Sequence, residues 1–158
     1  MLFTRWCEFF YAVHFARLFL FKDFIMQPEN VNANFVLADK IARVVYAETF
    51  AKSLRVVEAL TSMIFNQSKQ NVESIIDIIS DYKQFESLCD NSARHNLLDV
   101  DSNNREFQMC FRVAMRMLHG NLPDMCNRAT KFHRDEFLPK WATARGYVAD
   151  IDGLLFYQ

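Results

Sequence analysis

Four stretches between residues 36 and 118 repeat their apolar residues with a helical period, and that repeat confines the chain to a mainly α fold. Leu37, Ile41, Val44 and Val45 predict an amphipathic helix over residues 36–48, introduced by Asn34 after a PENVNAN linker at residues 28–34. Ser53 is placed to cap a second helix, with Leu54, Val57, Leu60, Thr61, Ile64 and Phe65 as its buried stripe. Asn71 caps a third, short one in which Val72, Ile75, Ile76 and Ile79 fall at i, i+3, i+4 and i+7. Asn103 and Glu106 form a capping box for a fourth, which buries Phe107, Cys110, Phe111, Ala114, Met117 and Leu118 and stops at Gly120. Beyond Leu122, Pro123, Pro139, Gly146 and Gly153 punctuate the chain and periodicity gives way to aromatic clusters. That part reads as loops with a short hairpin.

Composition removes several classes of function. Lys plus Arg total 18 against 19 Asp plus Glu, a net charge of −1 that supplies no field for a polyanion, so nucleic acid is not an expected partner. With three glycines in 158 residues, no Gly-rich phosphate loop can be written. Cys7, Cys89, Cys110 and Cys126 contain no CxxC pair, and His14, His95, His119 and His133 contain no HExxH or HxxxH pair. Neither a metal site nor a cofactor is expected, and free thiols are the simplest state of the cysteines.

Residues 1–35 have a different texture from the remainder, which sets a domain boundary between 1–35 and 36–158. They hold eight of the sixteen phenylalanines, and residues 9–21 are apolar except for His14 and Arg17. A secretory signal wants an uninterrupted apolar run and a small-residue cleavage site, and a spanning helix wants about 20 apolar residues. This segment meets neither description fully. Three readings stand: an export or anchor sequence, giving membrane association; an amphipathic helix packed on the domain; or translated sequence upstream of a true start at Met26.

Glu48 is the acid that the helical pattern singles out. It follows Leu37, Ile41 and Val44 at i+11, so its carboxyl continues the apolar stripe instead of facing water. Desolvation of such a group favours its protonated form, which a general acid working near neutral pH requires. The plainer alternative is a helix-terminal Glu that reaches solvent or pairs with a Lys or Arg. Trp141, Tyr147, Phe156 and Tyr157 offer flat rings either to sugar faces or to a small core. Arg105, Arg112, Arg116 and His119 read as a solvated basic face.

The stretch ADKIARVVYAETFAKSLRVVEALTSMIFNQ, residues 38–67, resembles the opening of the cell wall hydrolase family typified by spore cortex-lytic enzymes. Tyr46-Ala47-Glu48 matches that family's Tyr-Ala-Glu, and Ile64-Phe65-Asn66 its Ile-Leu-Asn. Gln84-Phe85 resembles Gln-Phe-Ser, and residues 129–133 (ATKFH) resemble Ala-Thr-His-Tyr-His. Pro139-x-Trp141-Ala142 matches Pro-x-Trp-Ala, and residues 152–157 (DGLLFY) resemble the closing Gly-x-His-x-Phe-Tyr. The order and spacing agree over residues 36–158. Three motifs carry departures: Phe50-Ala51-Lys52 replaces Arg-Gly-Glu, Glu86 replaces the Ser, and Leu154 replaces the closing His.

The resemblance implies a single lysozyme-like, mainly α domain that cleaves the β-1,4 bond between N-acetylmuramic acid and N-acetylglucosamine in peptidoglycan. It implies Glu48 as the catalytic acid, with Tyr46, Gln84, Phe85, His133, Trp141 and Tyr157 binding substrate. A lytic transglycosylase needs that one acid alone. A hydrolase needs a second carboxylate about 5–9.5 Å away, for which Asp81, Glu86 and Asp90 are the candidates. The implied partner is the glycan strand, the implied state a monomer, and the implied location the cell envelope or periplasm, or the cytoplasm where residues 1–35 direct no export. The departures favour an alternative, a catalytically weakened module that binds glycan or a partner protein.

Overall fold

A computed structural model describes residues 28–158, so the three readings of the N-terminal segment fall almost wholly outside the described residues. Helix α1 runs Pro28–Thr49, α2 Leu54–Gln67, α3 Val72–Ile79 and α4 Arg105–Leu118. Short 3-10 turns at Glu86–Leu88 and His95–Asp99 lie between α3 and α4, and three strands close the chain: β1 Lys131–Arg134, β2 Tyr147–Ile151 and β3 Leu154–Tyr157. The fold is mainly α with a small sheet, as the periodicity predicts. Among the described residues no helix is long and apolar enough to cross a membrane.

Local chemistry explains the boundaries. Ser53 accepts the Val56 N–H and Asn71 that of Glu73, so both predicted caps are in place. The cap of α4 is Asn104 rather than Asn103: its side chain accepts the Phe107 N–H at 2.9 Å, three residues on, as capping geometry demands. Gly120, at φ +69°, ends α4 with paired bonds from its own N–H to Met117 O and from Asn121 N–H to Arg116 O. The expected linker at residues 28–34 is helical instead. Pro28 occupies the first position of α1, where its missing N–H and fixed φ cost nothing, and Asn34 therefore lies inside the helix.

The sheet is antiparallel in the order β1-β3-β2. Asp152 and Gly153, at φ +53° and +85°, form the two-residue turn of the expected hairpin. β1 goes beyond that expectation: it pairs with β3 in the register Phe132↔Phe156 and Arg134↔Leu154. α2 packs against α3, α4 and β2, and Leu60, Met63, Ile64, Phe107, Met117 and Phe156 are among the largest side chains in the core. Phe85, Phe132 and Phe156 form a line of rings at 5.7 and 6.4 Å that continues this core beneath the sheet.

Gly153 is the glycine whose replacement is informative. A Cβ there would meet Asp135 Oδ2 at 3.3 Å in a left-handed backbone conformation. Gly153→Ala is expected to destabilise the fold by about 1–2 kcal/mol, seen as a fall of several degrees in the thermal midpoint.

Candidate active site

The last turn of α1 carries Glu48 into the core, leaving the residue 1% exposed. Its Oε1 accepts the Ser87 N–H at 2.8 Å, and its Oε2 accepts from the Arg134 guanidinium at the end of β1. Pairing of this kind compensates a buried carboxylate for its lost hydration. Arg134 Nε also donates to Glu86 Oε2 at 3.3 Å, and Arg94 Nε lies 3.6 Å from the same oxygen. Arg94 in turn donates to the carbonyls of Ala47 and Glu48, at 3.3 and 3.4 Å, and lies over the Phe50 ring at 4.9 Å. The end of α1 and its terminal acid are thus held from one side by two arginines that share one exposed carboxylate.

Glu48, Arg134 and Glu136 form a wall common to two clefts. The larger, of about 580 Å³, is lined on its other sides by Tyr82, Gln84, Phe132, His133, Phe137 and Trp141. The smaller, of about 260 Å³, is bounded by Lys52, Arg94, Asp135 and Asp152 with the Gly153–Leu154 backbone turn. One cleft offers ring faces, the other charges.

The residues expected at the substrate are distributed unevenly. His133 and Trp141 line the larger cleft, and Tyr157 lies behind them: its hydroxyl is 3.1 Å from His133 Nε2, its ring stacks on the imidazole at 5.2 Å, and Trp141 meets it edge-on at 5.4 Å. His133 Nδ1 is 2.7 Å from Arg134 O, so the imidazole is tied to the residue that holds Glu48. Gln84 reaches the cleft, but its amide is engaged in a reciprocal pair with Gln67 at 2.7 and 2.9 Å. Phe85, expected to touch substrate, is instead fully buried against Phe132. Tyr46 departs in the same way. Two positions before Glu48, it projects from another face of α1 and meets Phe107 edge-on at 6.5 Å, outside the lining of either cleft.

Of the three candidate second carboxylates, Glu86 stands in the cleft with Glu48. Asp81 closes a turn by accepting the Lys83 N–H at 3.0 Å, and Asp90 is an exposed side chain 3.8 Å from His95. The departures from the family pattern also fall at the site: Lys52 borders the charged cleft, and Leu154 is a buried strand residue facing Arg134 across the sheet. Arg134, the residue that pairs with Glu48, is one that the sequence pattern did not single out. The signal was present in the Phe132-x-Arg134 alternation, which places both on one face of a strand, but KFHR carries too few apolar residues to declare a strand.

The free thiols of Cys110 and Cys126 offer no nucleophile. Burial pushes both up to about 12, and for Cys126 the neighbouring Asp124 charge adds to the effect. Among the described residues no group of three or more His, Cys, Asp or Glu side chains is gathered as metal ligands.

Residues 57–157 match the family described as Cell Wall Hydrolase. No curated protein and no solved structure matches. The matched span begins nine residues after Glu48 and contains Gln84, Glu86, His133, Arg134 and Trp141 of the larger cleft, while Glu48 and Lys52 lie before it. Covering more than half of the 158 residues, it places this chain in the cell wall hydrolase family.

Proposed function

We propose that the chain cleaves peptidoglycan glycan strands between N-acetylmuramic acid and N-acetylglucosamine as a lytic transglycosylase, with Glu48 as its single catalytic acid and base. Family membership supports the coarser part, a cell wall hydrolase acting on peptidoglycan. The observation that carries the finer part is the position of Glu48, buried at the wall shared by an aromatic and a charged cleft. A sugar unit in the larger cleft would lay a face against Trp141, whose ring is fixed by His133 and Tyr157. Protonated Glu48 then gives its proton to the glycosidic oxygen, and the leaving sugar departs with the bonding electrons. As carboxylate, Glu48 takes the proton of the muramyl C6 hydroxyl, whose oxygen bonds to C1 and closes a 1,6-anhydro ring. The acid ends protonated, ready for the next bond, and no water is consumed. A lysozyme-like architecture, a monomeric state, action in the cell envelope or periplasm, and membrane association through residues 1–35 belong to the same proposal.

Mass spectrometry of the products distinguishes the chemistries. Muropeptides ending in 1,6-anhydro rings, each lighter by one water than its hydrolytic counterpart, are the expected result. Reducing ends would overturn the transglycosylase and make Glu86, in the same cleft, the first second carboxylate to examine.

A further inference from the structure

The ion-pair network behind Glu48 has more members than anchoring a buried carboxylate requires. Arg134 alone would neutralise Glu48, yet the same guanidinium donates through Nε to Glu86, whose side chain is 54% exposed. Glu86 therefore loses little hydration and offers Arg134 a second carboxylate beside Glu48. Arg94, in contact with Glu86 and with the Ala47 and Glu48 carbonyls, closes the ring and keeps Glu86 in reach. Glu86 also stands where the resembled family carries Ser, so this competitor belongs to this chain's own pattern.

An acid that must first hold a proton and then bear a charge makes opposite demands on its neighbour. A guanidinium bound to Glu48 alone would oppose the protonated form throughout. A guanidinium shared with a second carboxylate has somewhere else to go. We infer that Glu86 is a positioning residue that retains Arg134 while Glu48 is protonated and releases it to Glu48 when the proton has left. This inference rests on the reading of Glu48 as general acid and deepens it.

Other charged groups line the charged cleft with Glu48: Lys52 from the turn after α1, Asp152 from the β2–β3 turn, and Asp135 and Glu136 from the segment after β1. His133 and Lys83 border the aromatic cleft. The hydrogen bonds to the Glu48 carboxylate, among the described residues, come from Ser87 N–H and Arg134. Sharing of Arg134 is thus the direct route by which a second acid acts on it.

The test follows the Glu48 carboxyl itself by carbon NMR on side-chain-labelled full-length protein, beside the pH profile of peptidoglycan cleavage, in wild type, Glu86→Gln, Arg134→Gln and the double variant. Glu86→Gln alters an exposed side chain and is expected to fold. It should move the Glu48 titration toward lower pH, and cleavage on the alkaline side should fall about tenfold, the order expected when a carboxylate gains sole claim on an adjacent guanidinium. KM is measured in parallel, so that any change in substrate binding at this cleft-lining position is separated from the shift in the acid. Arg134→Gln should move the titration the other way, and in that background Glu86→Gln should move it much less. An unmoved Glu48 titration in Glu86→Gln would overturn the inference, as would a full shift in the Arg134→Gln background, which would make Glu86 a simple neighbouring charge. Loss of cleavage at every pH in Glu86→Gln would also overturn it, by making Glu86 catalytic. The NMR reading stands without turnover: a wild type that cleaves nothing defeats the proposed activity, while an unmoved titration in an active enzyme defeats only the role of Glu86.

Discussion

Glu48→Gln is expected to lower turnover of purified peptidoglycan by about 10²- to 10⁴-fold or more, the range for removal of a general acid or base, while glycan binding stays close to wild type. The amide keeps the length and plane of the carboxyl but transfers no proton. Its fit carries a cost of its own. Both carboxylate oxygens now accept, one from Ser87 N–H and the other from Arg134, whereas an amide has one acceptor and would turn its NH₂ toward a donor. A penalty of about 1–3 kcal/mol for the donor left unpaired is therefore expected in stability, and a melting curve measured beside the assay separates this from loss of chemistry. A variant that is folded, binds glycan and releases no product supports the acid. Wild-type protein that releases nothing and binds no better than the variant would sink the enzyme reading and leave a glycan-binding module.

Phe156→Ala should lower stability by about 3–5 kcal/mol. Phe156 is fully buried on the central strand of the sheet and packs on Phe132 at 6.4 Å, which packs on Phe85 at 5.7 Å. Truncation opens a cavity that strands on both sides are too constrained to refill. The damage should reach the site, because β1 is held by its pairing with β3, and β1 ends in Arg134. Denaturant unfolding measures the loss directly. A cost below about 1 kcal/mol would show that the sheet can collapse onto the space, and would contradict its role as a rigid support for the cleft.

The helices were legible in the sequence because what specifies them is local. The stripe that ends in Glu48, the Ser53 and Asn71 caps and the stop at Gly120 each depend on residues within a turn or two. That stripe also foretold that Glu48 faces inward, since helical periodicity alone decides which side a residue takes. Where local signals conflicted, the reading slipped: Pro28 and the polar residues after it resemble a linker, but proline is also compatible with a first helical position, and the helix begins there.

The surroundings of Glu48 were decided by tertiary structure. Arg134 lies 86 residues away in sequence, Ser87 39 and Arg94 46, and Glu86 meets Arg134 across 48. No short-range pattern records such a meeting, because a charged residue at the end of a four-residue strand has the same local signature whether it faces water or a buried acid. The antiparallel pairing of β1 with β3 settles it, by turning the Phe132 face of the strand inward and carrying Arg134 on that same face to the end of α1. Burial then does the selecting: a carboxylate removed from water requires a cation and an N–H within hydrogen-bonding distance, and the fold supplies both from segments that the chain keeps far apart.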